Sequence, residues 1–107
     1  MSAPEIDVEA LAAMQAQGVP IIDVREVDEY VEGHVSGAVL IPLGEVPDRV
    51  GEIPADAPVY IICKSGGRSM RAAEFLNAQG LDTTNVAGGT MAWIDSGRPV
   101  VVGGEPA

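Results

Sequence analysis

Cys63 is the only cysteine of the chain, and it opens the segment Cys63-Lys64-Ser65-Gly66-Gly67-Arg68-Ser69. A thiol, two cations, two hydroxyls and two glycines in so short a run are the ingredients of an anion-binding loop around a nucleophilic sulfur. The nucleophile is the thiolate, and a free thiol of pKa near 8.5 is only about 3% ionised at neutral pH. Lowering that pKa by two units takes about 2.7 kcal/mol of preference for the anion. A helix N-terminus contributes about 0.3 to 2 kcal/mol of it. A cation such as Lys64 or Arg68, with backbone N–H groups, can provide the remainder. No general base is then required, and the only histidine, His34, stands far from the loop in sequence. Gly66 and Gly67 let the backbone curl so that successive N–H groups converge on one point. Arg68 can reach a bound anion or close the loop through carbonyl contacts, while Lys64, Ser65 and Ser69 offer further donors.

These residues need elements to hold them. Val59-Tyr60-Ile61-Ile62 reads as a strand running into the loop, and the segment from Arg68 to Gln79 reads as a helix leaving it, stopped by Gly80. In that helix Arg68, Arg71, Glu74 and Asn77 mark a polar face, and Ala72, Ala73 and Leu76 the opposite one. Upstream, Asp7 caps a helix from Val8 to Gln17 that ends at Gly18. The run from Pro20 to Val24 has the β-branched composition of a strand buried on both faces. Glu26 to Glu32 forms a short helix, Ala38 to Ile41 a strand, and the proline-rich stretch from Leu43 to Pro58 a loop with a helical turn near Pro47. Thr84 to Ala87 is a last strand, Gly88-Gly89 a turn, and Thr90 to Asp95 a short helix carrying Trp93. Strands alternating with helices imply an α/β domain with a mainly parallel central sheet flanked by helices on both faces. In such sheets ligands bind beyond the carboxyl ends of strands, which is where Cys63 falls.

At 107 residues the chain is expected to form one domain over 1–107, with 100–107 a loose C-terminal tail. Six basic residues against sixteen acidic ones give a net charge of −10, which argues against nucleic acid or an anionic membrane as partner. Two of those six cations lie in the loop. No apolar run approaches the roughly 18 residues that span a bilayer. Met1-Ser2-Ala3-Pro4-Glu5 has no signal-peptide character, so a cytoplasmic location is expected. One cysteine makes neither an internal disulfide nor, alone, a zinc site.

Bland readings compete with each of these. A single cysteine in a small domain is usually a buried hydrophobe, and here Lys64 and Arg68 reverse those odds. The Gly88-Gly89 pair reads as a plain turn. Asp23 and Arg25, opposite charges at a strand end, read as structural support holding the loop from behind. His34 reads as a satisfied hydrogen-bonding residue and Trp93 as core.

Three segments together resemble the rhodanese-like family in its single-domain form. They are Asp23-Val24-Arg25 with Glu29-Tyr30 and Gly33-His34-Val35-Ser36-Gly37-Ala38-Val39; the Cys63 to Ser69 loop; and Val86-Ala87-Gly88-Gly89-Thr90-Met91-Ala92-Trp93 with Gly97-Arg98-Pro99-Val100. Leu40 departs from the polar residue many relatives carry there. The resemblance implies a thiosulfate sulfurtransferase. Cys63 would attack the outer sulfur of thiosulfate or a similar donor, hold it as a persulfide, and pass it to cyanide, a thiol or a protein acceptor, with no metal or organic cofactor. It assigns Lys64, Ser65, Gly66, Gly67, Arg68 and Ser69 to substrate binding. Two rivals stand beside it. The first is a phosphatase or arsenate reductase: protein tyrosine phosphatases and the related cell-cycle phosphatases carry five residues between Cys and Arg, against four here, and phosphatase chemistry needs a general acid the loop lacks. A non-catalytic module would use the same loop to hold an anion or a partner. Donor, acceptor and oligomeric state are left open by the sequence.

Overall fold

The central sheet has five strands, all parallel, numbered in chain order with the helices between them. The computed structural model describes residues 3–107. Strand β1 (Glu5–Ile6) leads to α1 (Val8–Gln15), β2 (Ile21–Asp23), α2 (Val27–Glu32) and β3 (Ala38–Leu40). Two 3-10 turns, Leu43–Asp48 and Val50–Glu52, precede β4 (Val59–Ile62), α3 (Gly67–Ala78), β5 (Thr83–Val86) and α4 (Gly89–Asp95). The strands lie in the order β1-β5-β4-β2-β3. The chain reverses direction across the sheet between β2 and β4, so a crevice opens at their carboxyl ends.

Alternation along the strands builds two cores, one on each face. Val59, Ile61 and Cys63 point to the face covered by α3, with Ile22, Val24, Ala72, Ala73 and Leu76. Tyr60 and Ile62 point to the other, with Ile21, Leu11, Tyr30, Val86 and Trp93. Cys63 therefore keeps the parity of the strand it follows, and its sulfur lies under the start of α3. The α/β class, the parallel sheet and the helices on both faces agree with the reading of the sequence.

The local signals account for most boundaries. Asp7 accepts a hydrogen bond from the Ala10 amide at 2.9 Å and caps α1. Glu26 and Glu29 form a reciprocal capping box at the start of α2. Strand β1 was not expected: two residues are too few for a periodic pattern, and its pairing with β5 supplies what its sequence lacks.

The loose tail expected at 100–107 is corrected by the structure. Val101 pairs antiparallel with His34, the Gly103 amide donates to Val31 O at 2.9 Å, and the Gly37 amide donates to Pro106 O at 2.9 Å. The buried His34 ring lies 2.7 Å from Tyr30 O through Nδ1 and 2.7 Å from Glu105 O through Nε2. It also stacks on the Tyr30 ring, with centroids 3.6 Å apart. The ties run from backbone amides and one imidazole to backbone carbonyls, so composition does not show them. Replacing His34 by alanine is expected to cost about 2 to 3 kcal/mol in urea unfolding, because the fully buried ring leaves a cavity and its contacts to Tyr30 O and Glu105 O are lost.

Candidate active site

Cys63 stands one residue beyond β4, where the backbone turns into α3 through Gly66, whose φ is +110°. That left-handed turn suits glycine. It brings the Gly66 amide to 3.1 Å from Cys63 Sγ. One turn into α3 the fully buried Ser69 hydroxyl donates to the same sulfur at 3.2 Å. The sulfur is itself almost wholly buried. Burial pushes the thiol up, yet the Ser69 hydroxyl and the amides of Ser69, Gly66 and Ser65 outweigh it, and the pKa falls below the ordinary thiol value. Replacing Ser69 by alanine is expected to slow alkylation of Cys63 at pH 7 by about three- to tenfold, with the plateau rate at high pH unchanged.

The loop residues divide into groups the sequence did not separate. Gly66 and Ser69 act on the sulfur directly. Ser65 contributes its amide while its side chain is exposed. Gly67 is the first residue of α3. Lys64 is exposed and lines a pocket of about 330 Å³ beside the loop, with Met91, Ile94 and Val100 as its apolar wall and Glu29 and Glu32 at its acidic side.

Arg68 is held elsewhere. Its guanidinium makes a two-pronged pair with Glu29 of α2, at 2.7 and 2.9 Å. The side-chain bond from Arg68 pulls the Glu29 carboxyl down to about 2. That pair's contribution to stability is present above pH 4.5, the ordinary value for this carboxyl, and is lost as pH falls through about 2. The pair ties α2 to the first turn of α3. No local pattern signals it, because Glu29 and Arg68 are 39 residues apart.

Asp23 and Arg25 form a buried pair at 2.9 Å at the end of β2. Asp23 also accepts from the Arg25 amide, and Arg25 Nη2 donates to Gly33 O at 2.8 Å. They brace the turn from β2 into α2; their hydrogen bonds go to each other and to Gly33. The register sets Asp23 opposite Ile62, the residue before Cys63.

The Gly88-Gly89 pair is more than the plain turn expected of it. Both residues have positive φ, and a Cβ built on Gly89 would lie 2.6 Å from Cys63 O and from Lys64 C and O. This closeness lets α4 bond the loop from behind. Thr90 N donates to Cys63 O at 2.8 Å, Met91 N to Lys64 O at 3.0 Å, and Thr90 Oγ1 to Cys63 O at 3.0 Å. Two helix N-termini thus meet at the loop, α3 turned to the sulfur and α4 to the carbonyls. No cluster of three or more metal-ligating side chains occurs among the described residues. No helix there is long and apolar enough to cross a membrane.

The same chain pattern and fold recur in known proteins. The family model of the rhodanese-like domain matches residues 7–96. A sulfurtransferase of Allochromatium vinosum is 38% identical over 100 residues, 91% of this chain and 94% of that one. The thiosulfate sulfurtransferase GlpE of Pseudomonas entomophila is 32% identical over 89 residues, 82% of each. Among solved structures, a rhodanese-related protein of Thermoplasma volcanium superposes with a TM-score of 0.86 at 32% identity, covering 92% of this chain and 98% of that one. The reduced CoADR-RHD of Bacillus anthracis gives the same TM-score at 33% identity, but this chain spans only 18% of it.

Proposed function

The chain belongs to the rhodanese-like domain family of sulfurtransferases, and from that premise we propose that it carries sulfane sulfur on Cys63 in two half-reactions. In the first, the Cys63 thiolate attacks the outer sulfur of thiosulfate or a similar donor. A sulfur–sulfur bond forms to Cys63, the donor's own bond to that sulfur breaks, and its electron pair leaves with sulfite. In the second, a thiol or cyanide attacks the outer sulfur of the persulfide, and the electron pair returns to Cys63 as thiolate. The protons and electrons balance without an added oxidant or reductant.

The observation that carries this reading is the sulfur's own surroundings. The Gly66 amide and the Ser69 hydroxyl both donate to Sγ, and the thiol is held below its ordinary value although it is buried. A buried cysteine serving only as a filler has no use for such donors, since burial alone raises its pKa. The sign of the pH dependence follows. Reactivity should rise with pH and reach half its plateau at a lower pH than an ordinary thiol does. The thiolate's contribution to stability is present above the unfolded-state value and lost as pH falls through the lowered folded one.

Intact mass spectrometry after treatment with thiosulfate tests the proposal. The expected result is an added mass of about 32 Da, one sulfur, on Cys63, released by cyanide. An unmodified chain at every donor concentration would overturn it and favour an anion-binding module. Location in the cytoplasm and a protein thiol as acceptor belong to the same proposal, the acceptor meeting the acidic side of the Lys64 pocket with a basic rim.

A further inference from the structure

Asn85 sits on β5 with its side chain fully buried beneath the loop. Its Nδ2 donates to Gly66 O at 3.2 Å and to Glu5 Oε2 at 2.7 Å, while its Oδ1 is buried without a hydrogen-bond partner among the described residues. The orientation of the amide is decided by its neighbours. A carbonyl and a carboxylate can only accept, so the nitrogen must face them, and turning the amide over would set three oxygens against each other. An orphaned buried carbonyl costs about 1 to 3 kcal/mol. An apolar residue of similar size at this strand position would avoid that cost, and the two donated bonds are what the amide supplies in exchange.

The residue so held is the one whose amide bonds the sulfur. Gly66 gives its N–H to Cys63 Sγ at 3.1 Å, and its carbonyl accepts from Asn85 and from Met70 N, the latter at 3.2 Å. Gly66 is at φ +110°, with Val86 O and Gly88 N within 3.7 Å of where a Cβ would stand. Glycine there has wide conformational freedom of its own, so its angle is set by what grips it. The helical bond to Met70 fixes the carbonyl along the axis of α3, and Asn85 fixes it against the sheet.

We propose that Asn85 is a positioning residue for Cys63, acting through the Gly66 carbonyl to aim the Gly66 amide at the sulfur, with Glu5 orienting the Asn85 amide from the edge strand β1. The proposal rests on Cys63 as the nucleophile proposed above, and it deepens that reading. It also explains what β1 contributes, since this strand of two residues delivers the carboxylate that reaches the buried amide.

The test is the pH profile of Cys63 alkylation by iodoacetamide in the full chain, which needs no sulfur donor and so fails separately from the transfer reaction. Asn85→Val removes both donors and the orphaned oxygen without adding charge, and valine suits a buried strand. Lys64 in the loop, Arg68 on α3 and the Asp23–Arg25 pair at the end of β2 are left in place. Asn85→Val is expected to raise the apparent thiol pKa by about 0.5 to 1 unit and to slow alkylation at pH 7 by about three- to tenfold, with the plateau unchanged. Glu5→Gln keeps an oxygen acceptor and is expected to follow the unaltered chain. A folded Asn85→Val variant with an unaltered profile would overturn the proposal, since a merely structural role moves the melting temperature and leaves the thiol pKa alone. If Asn85→Val does not fold, the exposed Glu5→Ala variant decides. A rise of at least about 0.3 unit supports the positioning role, and an unaltered profile overturns it.

Discussion

Replacing Cys63 by serine is expected to lower sulfur transfer from thiosulfate to cyanide by at least about a thousandfold, to the rate of buffer alone, while the fold persists. The reasoning is specific to this site. A serine hydroxyl fits the same buried position and can accept from the Gly66 amide and the Ser69 hydroxyl as sulfur does, so the change in stability should stay within about 1 kcal/mol. What disappears is the nucleophile. Donors that lower the pKa of a thiol are too few to ionise an alcohol, and oxygen forms no persulfide. The variant thus separates chemistry from binding: it should still hold an anion weakly in the loop and yet show no mass gain with thiosulfate. Turnover retained by Cys63→Ser would remove the covalent step from the mechanism.

Gly89→Ala should also lower activity, by displacing the backbone of the loop that holds Cys63. The φ of Gly89, +59°, lies in the region where a Cβ costs about 1 to 2 kcal/mol. The added methyl would also meet Cys63 O and the Lys64 carbonyl group at 2.6 Å. Those atoms are backbone, and the carbonyls are tied to Thr90 and Met91 amides, so they yield only by moving the loop. Overpacking adds about 1 to 3 kcal/mol. A total of about 2 to 5 kcal/mol is a large share of the roughly 5 to 15 that hold such a domain. The expected result is a melting temperature lower by about 10 °C or more and a matching loss of transfer rate. Gly67→Ala is the control for stability: it starts α3 with open space around it, and folding should be unaffected or slightly improved.

The parts of this molecule that depend on neighbours in sequence were legible without coordinates. The β-branched run before Cys63, the glycines after it and the apolar face of α3 each carry a local physical signal, and all three fell where expected. Asp7 marked the start of α1 for the same reason, while the helix ends at Gln15, two residues short of the Gln17 expected from Gly18. The arrangement around the sulfur was legible only in part. The sequence offered the Ser65 and Ser69 hydroxyls as donors without saying which reaches Sγ, six residues from Ser69 across a non-helical loop, and it offered Arg68 and Lys64 as equal candidates. The structure assigns Arg68 to Glu29 and leaves Lys64 facing the pocket. Glu29, Gly89 and Asn85 come to the loop from three other elements, and no spacing rule joins α2, α4 or β5 to residue 63. The final residues misled for the opposite reason. Gly103, Gly104 and Pro106 have the composition of a loop, yet backbone bonds and a histidine need no side-chain pattern to hold a segment down.

The bonds from α4 to the loop give the protein a built-in recorder of its own fluctuations. The first amides of a helix have no acceptor within it and ordinarily exchange their hydrogens quickly with solvent. Thr90 N and Met91 N, at the second and third positions of α4, are instead closed by Cys63 O and Lys64 O. They can exchange only when the loop lets go. Their deuterium uptake therefore counts loop openings, by a measure independent of any reaction. Sulfur loading that tightens the loop would slow both amides together, and loading that loosens it would quicken them.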